Sequence, residues 1–160
     1  MKIVVAATKS QKVKLCSLCV GMQSFGVETS EVQEVLGRVR PQLVPRAPKF
    51  VAGVIAYRGE VLTAVSLPAL LGLPKGEEPL VAVVMRNDEM REQFALLVDS
   101  FADVVEVEQE LWEPNPAVLD ESKKALYSGV YRMESATMVR LESDKLQPSR
   151  LLKIAERTAA

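Results

Sequence analysis

Apolar residues along this 160-residue chain fall in short runs rich in Val and Leu, punctuated by Gly, Pro or charged pairs. That rhythm predicts an all-β sandwich or barrel rather than a helical bundle. Val13 to Val20 reads as a first strand. Gly21-Met22-Gln23-Ser24 is a turn, and Phe25 to Val27 returns as a second strand. Ser30, with Gln33 three residues on, has capping-box spacing and predicts a short helical turn through Val32 and Val35. Pro41, Pro45 and Pro48 make the stretch from Arg40 to Lys49 an extended connector.

Gly53 to Tyr57 and Glu60 to Val65 predict a hairpin with Arg58-Gly59 at its tip, where glycine permits positive φ. Ser66 to Gly72 reads as one short helix with Ser66 as cap, Pro68 early and Gly72 as stop. Leu80 to Met85 and Phe94 to Val98 are apolar almost throughout, so they read as strands buried on both faces, joined by a charged turn from Arg86 to Glu92. In Asp103 to Glu108 the carboxylates Glu106 and Glu108 alternate with Val105 and Val107, which predicts a half-buried strand. Glu110 to Lys124 reads as a polar loop. Leu126 to Met133 and Thr137 to Leu141 are the last strand pair, and Ser149 to Thr158 a terminal helix with Leu151, Leu152 and Ala155 on one face. The length suits a single domain over residues 1–160, with one candidate lobe boundary at 75–79.

Composition narrows the function. The net charge is −1, which excludes nucleic acid as the main partner, since phosphate binding needs clustered Lys and Arg. Acidity gathers in the second half, and from Asp99 to Glu121 there is no basic residue. That stretch is either a solvated acidic face or the complement of a basic patch on a partner. The longest apolar run, Leu80 to Met85, is far too short to cross a bilayer, and the apolar stretch after Met1 is too short for a signal peptide, which points to the cytoplasm. There is no histidine, so the commonest general base and metal ligand is absent.

Cys16-Ser17-Leu18-Cys19 has C-x-x-C spacing. Zinc wants four ligands, and no second pair accompanies this one. A redox pair wants a helix N-terminus, whereas these thiols fall within a strand and point to opposite faces. Asp99 and Asp103 could form a carboxylate pair, but no nucleophile or cofactor motif stands beside them. Gly53, Gly59, Gly72 and Gly129 read as turn and close-packing positions. No catalytic, cofactor or metal residue is assigned. Tyr57-Arg58 at the hairpin tip is different, because Tyr and Arg are enriched at interface hot spots. Glu34 is the best intramolecular partner for Arg58, and the two readings are compatible.

Several motifs in order resemble the CheW-like family. Gly21 stands at the family's first turn and Phe25-Gly26-Val27 at its returning strand. Val32-Gln33-Glu34-Val35 resembles V-x-E-[IV], and Pro48 to Val54 resembles P-x-[FY]-[IV]-x-G-V. Arg58-Gly59 and Ser66-Leu67 follow at the expected separations. Leu97 to Val104 resembles V-D-x-V-x-D-V, and Gly129 and Met138 to Leu141 close the pattern, which runs from Lys14 to Leu146. The chain departs from the family at Ala56-Tyr57-Arg58-Gly59, where N-L-R-G is usual, at Ser66 and Pro68, and at Glu142-Ser143.

The resemblance implies a mainly β fold of two five-stranded SH3-like barrels around a shared apolar core, with short helices and a C-terminal helix. It implies a non-enzymatic adaptor that couples a CheA-type histidine kinase to the cytoplasmic tips of chemoreceptors in two-component chemotaxis signalling, without a cofactor. Carried over by position, Val32, Glu34, Gly53, Tyr57 and Arg58 fall where the family gathers its protein-binding residues. Two rivals stay open: an orphan adaptor of a motility or other kinase pathway, and a small redox or metal-binding protein using Cys16 and Cys19.

Overall fold

The computed structural model describes residues 11–74, 78–86 and 92–159. The expectations for Met1 to Lys9, for Lys75 to Glu77 and for most of the charged turn after Arg86 lie outside the described residues. The first strands are β1 (Lys12–Val20), β2 (Gln23–Glu28), β3 (Val32–Arg38), β4 (Val51–Tyr57) and β5 (Glu60–Ser66). Helix α1 (Leu67–Leu70) precedes β6 (Val81–Met85), β7 (Phe94–Val98), β8 (Ser100–Glu108) and the two-residue β9 (Trp112–Glu113). Helix α2 (Glu121–Lys124), β10 (Tyr127–Arg132), β11 (Thr137–Leu141) and helix α3 (Pro148–Ala159) complete the chain.

The strands form two curled sheets. One has six strands in the order β8-β1-β2-β11-β10-β9, the other five in the order β3-β6-β7-β5-β4. Both are mixed: β11 runs parallel to β2 and β5 parallel to β7, while the remaining pairs are antiparallel. The five-stranded sheet uses one continuous stretch of chain, set between β2 and β8 of the other. The chain crosses between sheets at the 3-10 turn Thr29–Glu31 and returns at Asp99. Of residues 75–79, expected as a lobe boundary, Glu78 and Pro79 are described, and they lead into β6.

Side-chain alternation sorts the apolar residues into three cores. Val83 and Met85 of β6 and Phe94, Leu96 and Val98 of β7 meet Leu18, Val20, Phe25 and Val27 between the sheets. Their neighbours Ala82, Val84, Ala95 and Leu97 point the other way, onto Ile55, Tyr57 and Leu62 inside the five-stranded sheet. The curl of the six-stranded sheet encloses Leu15, Val107, Tyr131 and Met138. The double-sided burial read from β6 and β7 thus has a cause, for each face of these strands serves a different core. Each fully buried Val, Leu or Phe contributes about 1.5–3 kcal/mol, so the shared core holds the two units together.

The mainly β reading holds, with amendments. One sheet has six strands, not five, and neither hydrogen-bonded ladder closes on itself among the described residues. The extra strand, β9, sits in the stretch expected as a loop, with the Trp112 indole against Gly129. The helical turn expected through Val32 and Val35 is a 3-10 turn ending at Glu31, followed directly by β3. Ser30 does not cap it, because its hydroxyl donates to Glu28 (3.4 Å) while Val32 is drawn into the ladder with Met85. Helix α1 is as expected, its Ser66 hydroxyl accepting from the Ala69 N–H at 3.2 Å. In α3, Leu151 is buried but Leu152 is 38% exposed, while Ile154 and Ala155 are half-buried.

Candidate functional site

The outer strands of the five-stranded sheet, β3 and β4, curl toward one another without pairing. The seam between them is bridged twice. At one end the proline-rich connector lends a residue, since the Gln42 N–H donates to the Val54 carbonyl (2.8 Å) and the Val54 N–H to the Gln42 carbonyl (2.9 Å). At the other end side chains do the work. The Tyr57 hydroxyl and the Arg58 guanidinium both donate to Oε1 of Glu34, each at 2.8 Å. The guanidinium also lies 5.2 Å from the centroid of the Tyr57 ring, within cation–π range.

Local geometry explains how these groups meet. The β3–β6 ladder is irregular between Val32 and Glu34 and again between Val35 and Gly37. Such bulges re-aim side chains: Val32 and Val35, three residues apart, both face the shared core, while Glu34 is left at the sheet margin. Across the seam, the β4–β5 turn places Arg58 at φ 47 and Gly59 at φ 80. Positive φ at both central residues is the two-residue hairpin turn that matches strand twist. A non-glycine residue there is uncommon, and Arg58 is so held at the tip of a tight turn. Tyr57 occupies a barrel-interior position beside Ile55 and is only 7% exposed. Its hydroxyl reaches outward past the edge to Glu34. Burial, followed by the hydrogen bond to the Glu34 carboxylate, raises its pKa above the ordinary phenol value.

Glu34, Tyr57 and Arg58 are brought together. Val32 and Gly53 are not part of this hydrogen-bonded cluster. The Val32 side chain is buried in the shared core. Gly53 has φ 145, and a Cβ there would overlap the Gln42 carbonyl oxygen, so its lack of a side chain lets the connector seat on β4. The Arg58 and Glu34 side chains are 68% and 38% exposed. A surface ion pair of this kind is worth about 0–1 kcal/mol, so it does little for folding. What it offers is a guanidinium with further donors, and a carboxylate whose Oε2 has no partner among the described residues, set on a stiff hairpin.

Contacts between distant parts of the chain escaped the sequence reading. Arg140 of β11 pairs with Glu28 of β2 and donates to the Tyr131 hydroxyl at 2.9 Å. Glu31 accepts from the Ser143 N–H at 2.9 Å. Both acids flank the sheet-crossing turn, and no local pattern announces partners so far along the chain. Cys16 is buried and Cys19 half-buried, both as free thiols on opposite faces of β1. Burial raises the Cys16 thiol pKa. Among the described residues, no three His, Cys, Asp or Glu side chains gather as a metal would require. Nor is any helix among them long and apolar enough to cross a membrane.

The CheW-like domain family model matches residues 14–150. The chemotaxis protein CheW of Rhizobium meliloti (strain 1021) is 32% identical over 137 residues, covering 85% of this chain and 88% of that protein. The chemotaxis protein CheW of Treponema pallidum (strain Nichols) is 24% identical over 151 residues, covering 91% and 88%. The crystal structure of the scaffolding protein TtCheW from Thermoanaerobacter tengcongensis superposes with a TM-score of 0.72 at 20% identity, over 82% of this chain and 89% of that one. That last likeness bears on the fold, and the twin curled sheets around a common core are what the two share. With a family match over nearly all of the described β structure, the chain belongs to the CheW-like family.

Proposed function

We propose that this CheW-like chemotaxis scaffold couples a CheA-type histidine kinase to the cytoplasmic tips of chemoreceptors, and that it does so by binding alone. The observation that carries this reading is the exposed Glu34–Arg58 pair, clasped by Tyr57 at the seam of a barrel whose other face is fused to a second barrel. Such a body holds two docking faces at a fixed angle, which is what a coupler needs and a catalyst does not. A receptor tip is a helical hairpin, and Arg58 and Glu34 on a stiff hairpin tip would offer it exposed donors and an acceptor. Outer strands and loops of each unit would meet the regulatory domain of the kinase. Moderate, reversible interfaces suit arrays that assemble and rearrange. The protein would work in the cytoplasm, recruited to membrane-associated receptor arrays, as one functional unit over its whole length.

The test is reconstitution. The purified protein should bind a CheA-type regulatory domain and a receptor hairpin-tip fragment at the same time, and raise kinase activity on receptor-bearing vesicles. Arg58→Ala should reduce that coupling while the circular dichroism spectrum is unchanged. Failure of the wild-type protein to bind either partner would remove the reading.

A second reading keeps the fold and changes the pathway. Tyr57 stands where the family usually has Leu, and a docking face altered there suits an orphan adaptor of a motility or other kinase cluster. A binding panel of kinase regulatory domains separates the two, since the orphan would prefer a kinase outside chemotaxis.

A further inference from the structure

We infer that Tyr57 is a positioning residue of the docking face: its phenol fixes Glu34, and through Glu34 the guanidinium of Arg58, without itself touching the partner. The inference rests on the docking reading above and gives it a mechanism. Tyr57 is the side chain least available to a partner among the three, with its ring packed inside the five-stranded sheet and only 7% of its surface exposed. Yet it makes two contacts with the groups that are available. Its hydroxyl donates to the same Glu34 oxygen that receives Arg58, and its ring lies under the guanidinium. A Leu at this position would fill the interior but could neither donate nor present a π face.

The physical consequence is pre-organisation. An exposed Arg otherwise samples many rotamers, and ordering one at an interface costs affinity. Here the hairpin tip, the ring and the shared carboxylate hold Arg58 in one orientation before any partner arrives. Only Oε1 of Glu34 is engaged among the described residues, so Oε2 stays available as an acceptor beside the guanidinium donors. The clasp also spans strands that no backbone hydrogen bond joins, so the relative placement of β3 and β4 at this end depends on side chains. A chain with Leu at this position would present the same two charges with more freedom.

The experiment measures affinity for a receptor hairpin-tip fragment by calorimetry, with thermal midpoints alongside. Tyr57→Phe keeps the ring and loses the hydroxyl. It should weaken binding about five- to tenfold with the midpoint falling by no more than about 2–4 °C, and Tyr57→Leu should weaken it at least as much. In a Glu34→Ala background Tyr57→Phe should cost nothing further, whereas a merely structural role would cost the same in both backgrounds. If the Tyr57 variants do not fold, Glu34→Ala, which leaves the barrel interior intact, must by itself weaken binding at least fivefold. Wild-type binding in Tyr57→Phe, or in Glu34→Ala, overturns the inference while leaving the docking reading in place. Absence of binding by the wild-type protein overturns the docking reading and the inference with it.

Discussion

Lys14 and Glu106 stand directly opposite one another in the antiparallel ladder of β1 and β8, and Lys12 stands opposite Glu108 two residues along. The acidic stretch from Asp99 to Glu121 is therefore less acidic in space than in sequence, because β1 supplies the missing lysines. The solvated-face reading of that stretch gains accordingly over a basic docking partner. Glu106→Lys should set two like charges across the ladder and cost about 0.2–1 kcal/mol. Binding of kinase and receptor fragments should be unaffected. Denaturation and calorimetry on the one variant check both halves, and a lost partner would return the acidic strand to the list of docking faces.

Glu31 gives a pH signature. Its pKa is raised, chiefly by burial and further by the charges of Glu28 and Glu142, against opposing hydrogen bonds from Ser143. A folded-state pKa above the unfolded one means the native protein holds this proton more tightly. That contribution to stability is complete below the ordinary glutamate value and is lost as pH rises through the folded value. Ionised Glu31 is thus a liability at neutral pH. Glu31→Gln keeps an acceptor for the Ser143 N–H and removes the charge, so it should be at least as stable at pH 7 and flatten the stability profile above pH ~4. Glu31→Ala removes the carboxylate that accepts from the Ser143 N–H and should lose about 1–3 kcal/mol. Urea titrations across pH decide this, and a Gln variant less stable at pH 7 would refute the assignment.

Gly53 was expected at the docking face, and the structure offers it a packing role. Gly53→Ala would force positive φ on alanine and push a methyl into the Gln42 carbonyl, breaking the bridge that seats the connector on β4. A loss of about 1–3 kcal/mol follows from the backbone strain alone. Receptor affinity measured well below the melting temperature should fall less than in Arg58→Ala. Equal loss of affinity with no loss of stability would place Gly53 at the interface after all.

How much of this was legible beforehand follows from the range of each interaction. The β4–β5 hairpin, α1 and the two-sided strands β6 and β7 are written in local periodicity and turn residues. The Glu34–Arg58 pair was also readable, because family motifs fixed both positions. Strand β9 was not, since two residues carry no period. The 3-10 turn before β3 was misread because the Ser30–Gln33 spacing suits a cap, and the competing pull of the β6 ladder lies some fifty residues away. Tyr57 looked like an exposed contact at a hairpin tip. Alternation along β4 in fact turns its ring inward, and only the curl of the sheet brings its hydroxyl to Glu34.

The two thiols provide the last test, and it bears on the redox alternative. Cys16 and Cys19 are three residues apart on one strand, so their Cα atoms are separated by about 10 Å, beyond the reach of a disulfide without moving the backbone. They also face opposite sides of β1. Burial raises the pKa of the Cys16 thiol and lowers its thiolate fraction at neutral pH, where the thiolate is the reactive form. A thiol reagent at pH 7 should therefore label Cys19 first and Cys16 only on unfolding. Cys16→Ser should abolish the slow labelling phase while leaving partner binding intact. Fast labelling of both thiols in the native protein, or a native disulfide between them by mass spectrometry, would mean that β1 opens at this point, and the redox reading would have to be taken up again.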